Sequence, residues 1–136
     1  MWGPHADDGY LLESLPQTTA SYASYGFPIA EAFVPDGWLS EGGKLKVGAY
    51  EFDVLHIPGH TPGHVVFYCA AEKLLIAGDV LFYESIGRTD FPRGNHADLI
   101  SNITGKLLVL PEDTRVIPGH GRMTTIGHEK RHNPFL

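Results

Sequence analysis

Three short segments of this chain share one design, in which an apolar run ends, glycine or proline breaks the backbone, and a metal-type ligand follows. They are His60-Thr-Pro-Gly-His64, Ile76-Ala-Gly-Asp79 and Ile117-Pro-Gly-His120-Gly121. Imidazoles and a carboxylate at the ends of neighbouring strands can converge on one cation, with glycine allowing the backbones to approach closely. Two histidines four residues apart would share a helix face, but Pro62-Gly63 opposes a helix, so a rigid turn aims them differently. A lone His or Gly-Asp at a strand end is ordinarily a turn residue; the same context repeated three times points to metal chemistry. His56, inside a strand, reads as a core or supporting residue, and His5, His96, His128 and His132 as surface or helix-end residues. Cys69 has no base near it in sequence and reads as a small buried hydrophobe.

The elements that must position these groups are legible from periodicity. Lys44–Val47 alternates, Gly48-Ala49 turns, and Tyr50–Ile57 continues with period two, which predicts a hairpin with Phe52 and Val54 on one side. Val65–Cys69 and Lys73–Ala77 predict a second hairpin, apolar enough for strands buried on both faces. Asn95 caps a helix in which Leu99, Ile100, Ile103 and Leu107 recur at helical spacing, with Asp98 near its positive end. Thr114–Ile117 is a short strand leading into the third ligand segment, and Thr125–His132 one or two helical turns. Before these, Asp7–Leu15 and Gln17–Tyr25 predict two short helices punctuated by Pro16, Gly26 and Pro28. Neither repeat nor linker interrupts the pattern, so residues 1–136 read as one domain of mixed α and β type.

Composition narrows the class. The 136 residues are 43% hydrophobic and 19% charged, which excludes disorder. Ten basic against sixteen acidic residues give a net charge of -6, which argues against nucleic acid as partner. One cysteine excludes an intramolecular disulfide and suits a reducing compartment. The N-terminus lacks the basic and apolar regions of a signal peptide, and the longest aliphatic run, Leu74–Ala77, is far too short for a bilayer. A cytoplasmic location without membrane partners is the expectation.

In combination and order the motifs are recognisable. His-Thr-Pro-Gly-His at 60–64, Ala-Gly-Asp-Val-Leu-Phe at 77–82 and Ile-Pro-Gly-His-Gly at 117–121 resemble the metallo-β-lactamase-fold hydrolases. Gly-Arg-Thr-Asp-Phe at 87–91 and His-Asn-Pro-Phe-Leu at 132–136 narrow the resemblance to the glyoxalase II-like branch, in its short single-domain bacterial form. The resemblance runs from about Gly3 to Leu136. It implies an α/β fold, an αββα sandwich, with two zinc ions (iron or manganese in some members) sharing a bridging hydroxide between the sheets. By position, His64 would bind the first metal, His120 the second, and Asp79 both, while His60 would support its loop. Arg88 and Asp90 fall on a loop near the site, with Arg88 a candidate substrate contact and the two side chains expected to pair. The family's hydroxide attacks the carbonyl of a small-molecule thioester, typically releasing D-lactate and glutathione.

One departure is large. The family's remaining ligands come from a His-x-His-x-Asp-His motif, and this sequence has none; its nearest echo, His5-Ala-Asp-Asp8, resembles the segment that follows that motif. The chain therefore reads as an N-terminally truncated domain with depleted metal coordination and weak or no hydrolysis on its own. An apolar sheet face left uncovered predicts a homo-oligomer or a swap of elements. Two other readings stand beside this one: a catalytically silent metal-binding or assembly domain, and an iron-dependent persulfide dioxygenase, a relative that shares the Gly-Arg-Thr-Asp-Phe motif.

Overall fold

A computed structural model describes residues 2–10, 37–90 and 93–136. Its centre is a six-stranded mixed sheet in the order β10-β9-β6-β5-β4-β3. The two predicted hairpins form it: β3 (Lys44–Val47) with β4 (Tyr50–His56), then β5 (Val65–Cys69) with β6 (Leu74–Gly78), all antiparallel neighbours. β9 (Arg115–Pro118) lies parallel to β6, and β10 (Thr124–Thr125) closes the edge. A separate parallel pair joins β1 (Trp2–His5) to β2 (Gly37–Leu39).

A parallel β6–β9 pair needs a crossover. That crossover carries the small hairpin of β7 (Leu81–Phe82) and β8 (Ser85–Ile86), then helix α1 (His96–Asn102). Asn95 caps α1 by accepting from the Asp98 N–H at 3.0 Å. From Ile103 to Leu107 the helix widens into a π-turn around Gly105, with Leu108 N–H reaching back to Ile103 C=O at 3.0 Å. The widening keeps Ile103 and Leu107 buried beside Leu99, packed in one core with Val66, Leu75, Ala77 and Val116. Helix α2 (Ile126–His132) adds Ile126 to the same core, its first turn capped by Thr125 Oγ1.

The predicted strands and the capped helix fall where periodicity puts them. The expectation that β5 and β6 are buried on both faces holds on one face only. Leu75 and Ala77 face the core, whereas Ile76, with the opposite orientation, is 38% exposed. The helix expected from Asp7 opens with a 3₁₀ turn at Ala6–Asp8; its continuation past residue 10, and the helix expected at 17–25, lie outside the described residues.

Strand direction alone gathers the chemistry at one end of the sheet. β6 and β9 run parallel, so Asp79 and the Gly119-His120 turn leave from the same end, with Gly78 opposite Pro118. β5 runs against β6, so the loop that precedes it, residues 57–64, enters at that end too.

A candidate metal centre

The Asp79 turn depends on glycine at two positions. Gly78 takes φ +53°, in the left-handed region that side chains disfavour. Gly87 packs so closely that a Cβ there would lie 1.8 Å from the carbonyl oxygen of Asp79. The Gly119 N–H donates to Gly78 C=O at 2.7 Å, drawing the β9 turn onto the β6 turn. The Asp79 carboxylate then stands between two imidazoles: Oδ2 is 3.7 Å from His60 Nε2, and Oδ1 is 3.5 Å from His120 Nδ1.

His60 is oriented from behind. Its Nδ1 lies 2.8 Å from the carbonyl oxygen of Arg88 and donates to it, which leaves the lone pair on Nε2, the nitrogen turned to Asp79. A carbonyl that fixes one ring nitrogen so that the other can ligate is the usual support of a metal-binding histidine.

The two histidines of the first motif stand differently toward the cavity. His60 lines the cavity with Asp79 and His120; His64 does not line it. The His64 ring stands at 74° to that of His60, and its Nε2 accepts from the Asp79 backbone N–H at 3.3 Å. That tautomer puts the proton on Nδ1, which is buried without a hydrogen-bond partner among the described residues. Burial, reinforced by the nearby His60, pushes the His64 imidazole below its ordinary pKa and favours its neutral form. His64 thus buttresses the Asp79 turn.

Two carboxylates that sequence reasoning passed over hold the site's walls. Asp8, 8% exposed, accepts from Thr61 Oγ1 at 2.8 Å and from Gly63 N–H at 2.7 Å, clamping the loop between the two histidines. The other end of that loop is fixed by α1: Asn95 N–H donates to Gly59 C=O at 2.7 Å. Glu129, fully buried on α2, accepts from Glu84 N–H at 2.7 Å, Thr124 Oγ1 at 2.5 Å and Asn133 Nδ2 at 3.0 Å. It anchors the β7–β8 hairpin, whose Phe82 ring stands 4.5 Å from the His120 ring. The only sequence signal for either was an acidic residue at a helix start. His56, read as supporting, stacks on His5 at 3.9 Å and lies 2.6 Å from Pro62 C=O, bracing the same loop.

The cavity in front of Asp79 has a volume of about 600 Å³. Phe82 and Ile86 give it apolar wall, and Arg88 and Arg122 stand on its lining. Arg88 pairs with Asp90 as expected, through two bonds of 2.8 and 2.9 Å. Two imidazole nitrogens around a carboxylate that presents one oxygen to each form a donor set suited to zinc, iron or manganese.

The superfamily model for the metallo-beta-lactamases matches residues 2–120. The chain belongs to the metallo-beta-lactamase superfamily. Along its whole length it is 50% identical to hydroxyacylglutathione hydrolase GloC of Haemophilus influenzae, of which it spans 63%. Among solved structures it is similar to the BLEG-1 B3 metallo-beta-lactamase, with a TM-score of 0.83 and 44% identity over 98% of this chain and 63% of that one. It is also similar to TTHA1623 in its di-iron-bound form, with a TM-score of 0.81 and 38% identity over 99% of this chain and 64% of that one. Proteins of that superfamily bind metal ions, and the residues gathered around Asp79 are of the types that ligate them. Among the described residues, no helix is long and apolar enough to cross a membrane.

Proposed function

We propose that this chain carries the half-site of a glyoxalase II-like thioester hydrolase, in which His60, Asp79 and His120 hold the metal. The observation that carries the reading is the Asp79 carboxylate, one oxygen toward each imidazole, at the head of a cavity with apolar walls. The likeness to hydroxyacylglutathione hydrolase GloC supports a thioester as substrate. Zinc is the proposed ion, with iron or manganese as alternatives that the same N and O donors accept.

A metal bound there would lower the pKa of a water and polarise the substrate carbonyl. The residues of the chain supply the rest. Arg88 C=O keeps His60 in the tautomer that presents Nε2. Asp8 and the Gly59–Asn95 bond fix the loop, so His60 needs little reordering when it ligates. Phe82 and Ile86 shed water from the acyl and thiol chains. In the net reaction water adds its oxygen to the acyl carbon, the C–S bond breaks, and the thiol leaves with a proton.

Zinc-loaded protein assayed with S-D-lactoylglutathione is expected to release thiol, and Asp79→Asn to abolish the release. Turnover that survives Asp79→Asn, or none with zinc, ferrous iron or manganese, would reject the hydrolase reading. In the second case, uptake of metal would leave a catalytically silent metal-binding domain.

A further inference from the structure

We infer that Arg122, stacked on Tyr83 on the lining of the cavity, selects substrates that carry a carboxylate remote from the scissile bond. The inference rests on the hydrolase reading and names the substrate class for it. Gly121, at φ +81°, turns the chain directly after His120, so Arg122 follows the metal-site histidine by two residues and lines the same cavity. Its guanidinium carbon lies 4.0 Å from the centroid of the Tyr83 ring. Tyr83 is itself stacked on His128, at 4.9 Å and 13°, and His128 Nε2 lies 3.2 Å from Glu84 Oε1. The guanidinium therefore rests on a braced aromatic platform rather than swinging in solvent.

A guanidinium stacked by its face still offers its in-plane N–H groups, the edge that matches a carboxylate with two parallel bonds. Among the described residues Arg122 has no ion-pair partner, whereas the other guanidinium on the cavity, Arg88, is already engaged through Nε and Nη2 by Asp90. The recognition role expected of Arg88 thus falls to Arg122. In a chain of net charge -6, a cation held ready at the cavity is a specific feature of this site. About 600 Å³ lies within the usual range for a small-ligand pocket, which suits a thioester of peptide size.

The test is a pair of ligands with free and with esterified carboxyl groups: S-methylglutathione and its diethyl ester, titrated into ¹⁵N-labelled protein and followed by NMR. The free acid is expected to bind at least ~10-fold tighter than the diester and to shift the Arg122 Nε–H resonance, in line with a charge-assisted bidentate pair. Arg122→Gln should lose that preference with an unchanged melting temperature, since the side chain is exposed, and Arg122→Lys should recover part of it. Equal binding of acid and diester by the wild type, unchanged preference in Arg122→Gln, or displacement of the acid by inorganic phosphate at equal concentration would overturn the inference. A preference that holds while no thioester is hydrolysed would reject the hydrolase reading and leave the carboxylate site standing.

Discussion

Removing the Asp8 carboxylate is expected to unfasten the loop that carries His60. Asp8 lies more than fifty residues before that loop in sequence yet holds it by two hydrogen bonds, to Thr61 Oγ1 and Gly63 N–H. Hydrogen bonds to a charged group contribute about 1.5–3 kcal/mol each, and a buried donor left without an acceptor costs about 1–3 kcal/mol. Part of that overlaps, because the loop can relax and admit water, so Asp8→Ala should cost about 3 kcal/mol. At ~2.1 cal/mol/K per residue, this chain unfolds with an entropy of roughly 290 cal/mol/K, and the melting temperature should fall by about 10 °C. Asp8→Asn is the matched control. Its carboxamide oxygen can still accept from Gly63 N–H while its NH₂ donates to Thr61 Oγ1, so the loss should be about 1 kcal/mol, or ~3 °C. Differential scanning calorimetry of the three proteins with EDTA present separates loop anchoring from metal binding. An Asp8→Ala protein that melts within ~3 °C of wild type, or an Asn variant as damaged as the Ala variant, would refute the reasoning.

Three further outcomes follow from the same contacts. Glu129→Ala strands Glu84 N–H, Thr124 Oγ1 and Asn133 Nδ2 around a buried void, and should lower stability by about 3 kcal/mol or more, read from urea unfolding. Gly87→Ala drives a methyl group into the Asp79 backbone, and should both destabilise the fold by at least ~1–3 kcal/mol and weaken metal uptake, read by calorimetry and metal titration. The His64 imidazole is depressed in the folded state, so the unfolded chain binds more protons between the folded pKa and about 6.5. The stability that His64 contributes is therefore complete above pH 6.5 and is lost as pH falls through that window. In EDTA, wild type should lose more melting temperature between pH 7.5 and 5.5 than His64→Asn, and equal losses would contradict this.

Local pattern was enough to locate the hairpins, the Asn95 cap and the three turns that carry His60, Asp79 and His120, because each rests on residues adjacent in sequence. The resemblance put Asp79 and His120 at one centre, and the parallel pairing of the strands they follow brings the two side chains to 3.5 Å. Which of His60 and His64 faces the cavity was not legible. It turns on which ring nitrogen finds which partner, and those partners, Arg88 C=O and Asp79 N–H, lie 28 and 15 residues away. Asp8 and Glu129 escaped notice for the same reason: an acidic residue at a helix start reads as exposed, and only the tertiary fold turns it into a buried clamp. Ile76 shows the limit of composition, since an apolar run reports that a strand is buried without reporting how completely each face is covered.

The assignment of His60, Asp79 and His120 as metal donors is tested by metal binding to single-site variants. Zinc titrations of wild type, His60→Ala, His64→Ala, Asp79→Ala and His120→Ala, monitored by isothermal calorimetry with elemental analysis of the products, should separate ligands from supports. The geometry predicts that His60→Ala, Asp79→Ala and His120→Ala each lose at least ~10-fold in affinity. His64→Ala should keep its metal and lose thermal stability instead. Zinc retained by His60→Ala and lost by His64→Ala would contradict the account and return the ligand role to His64.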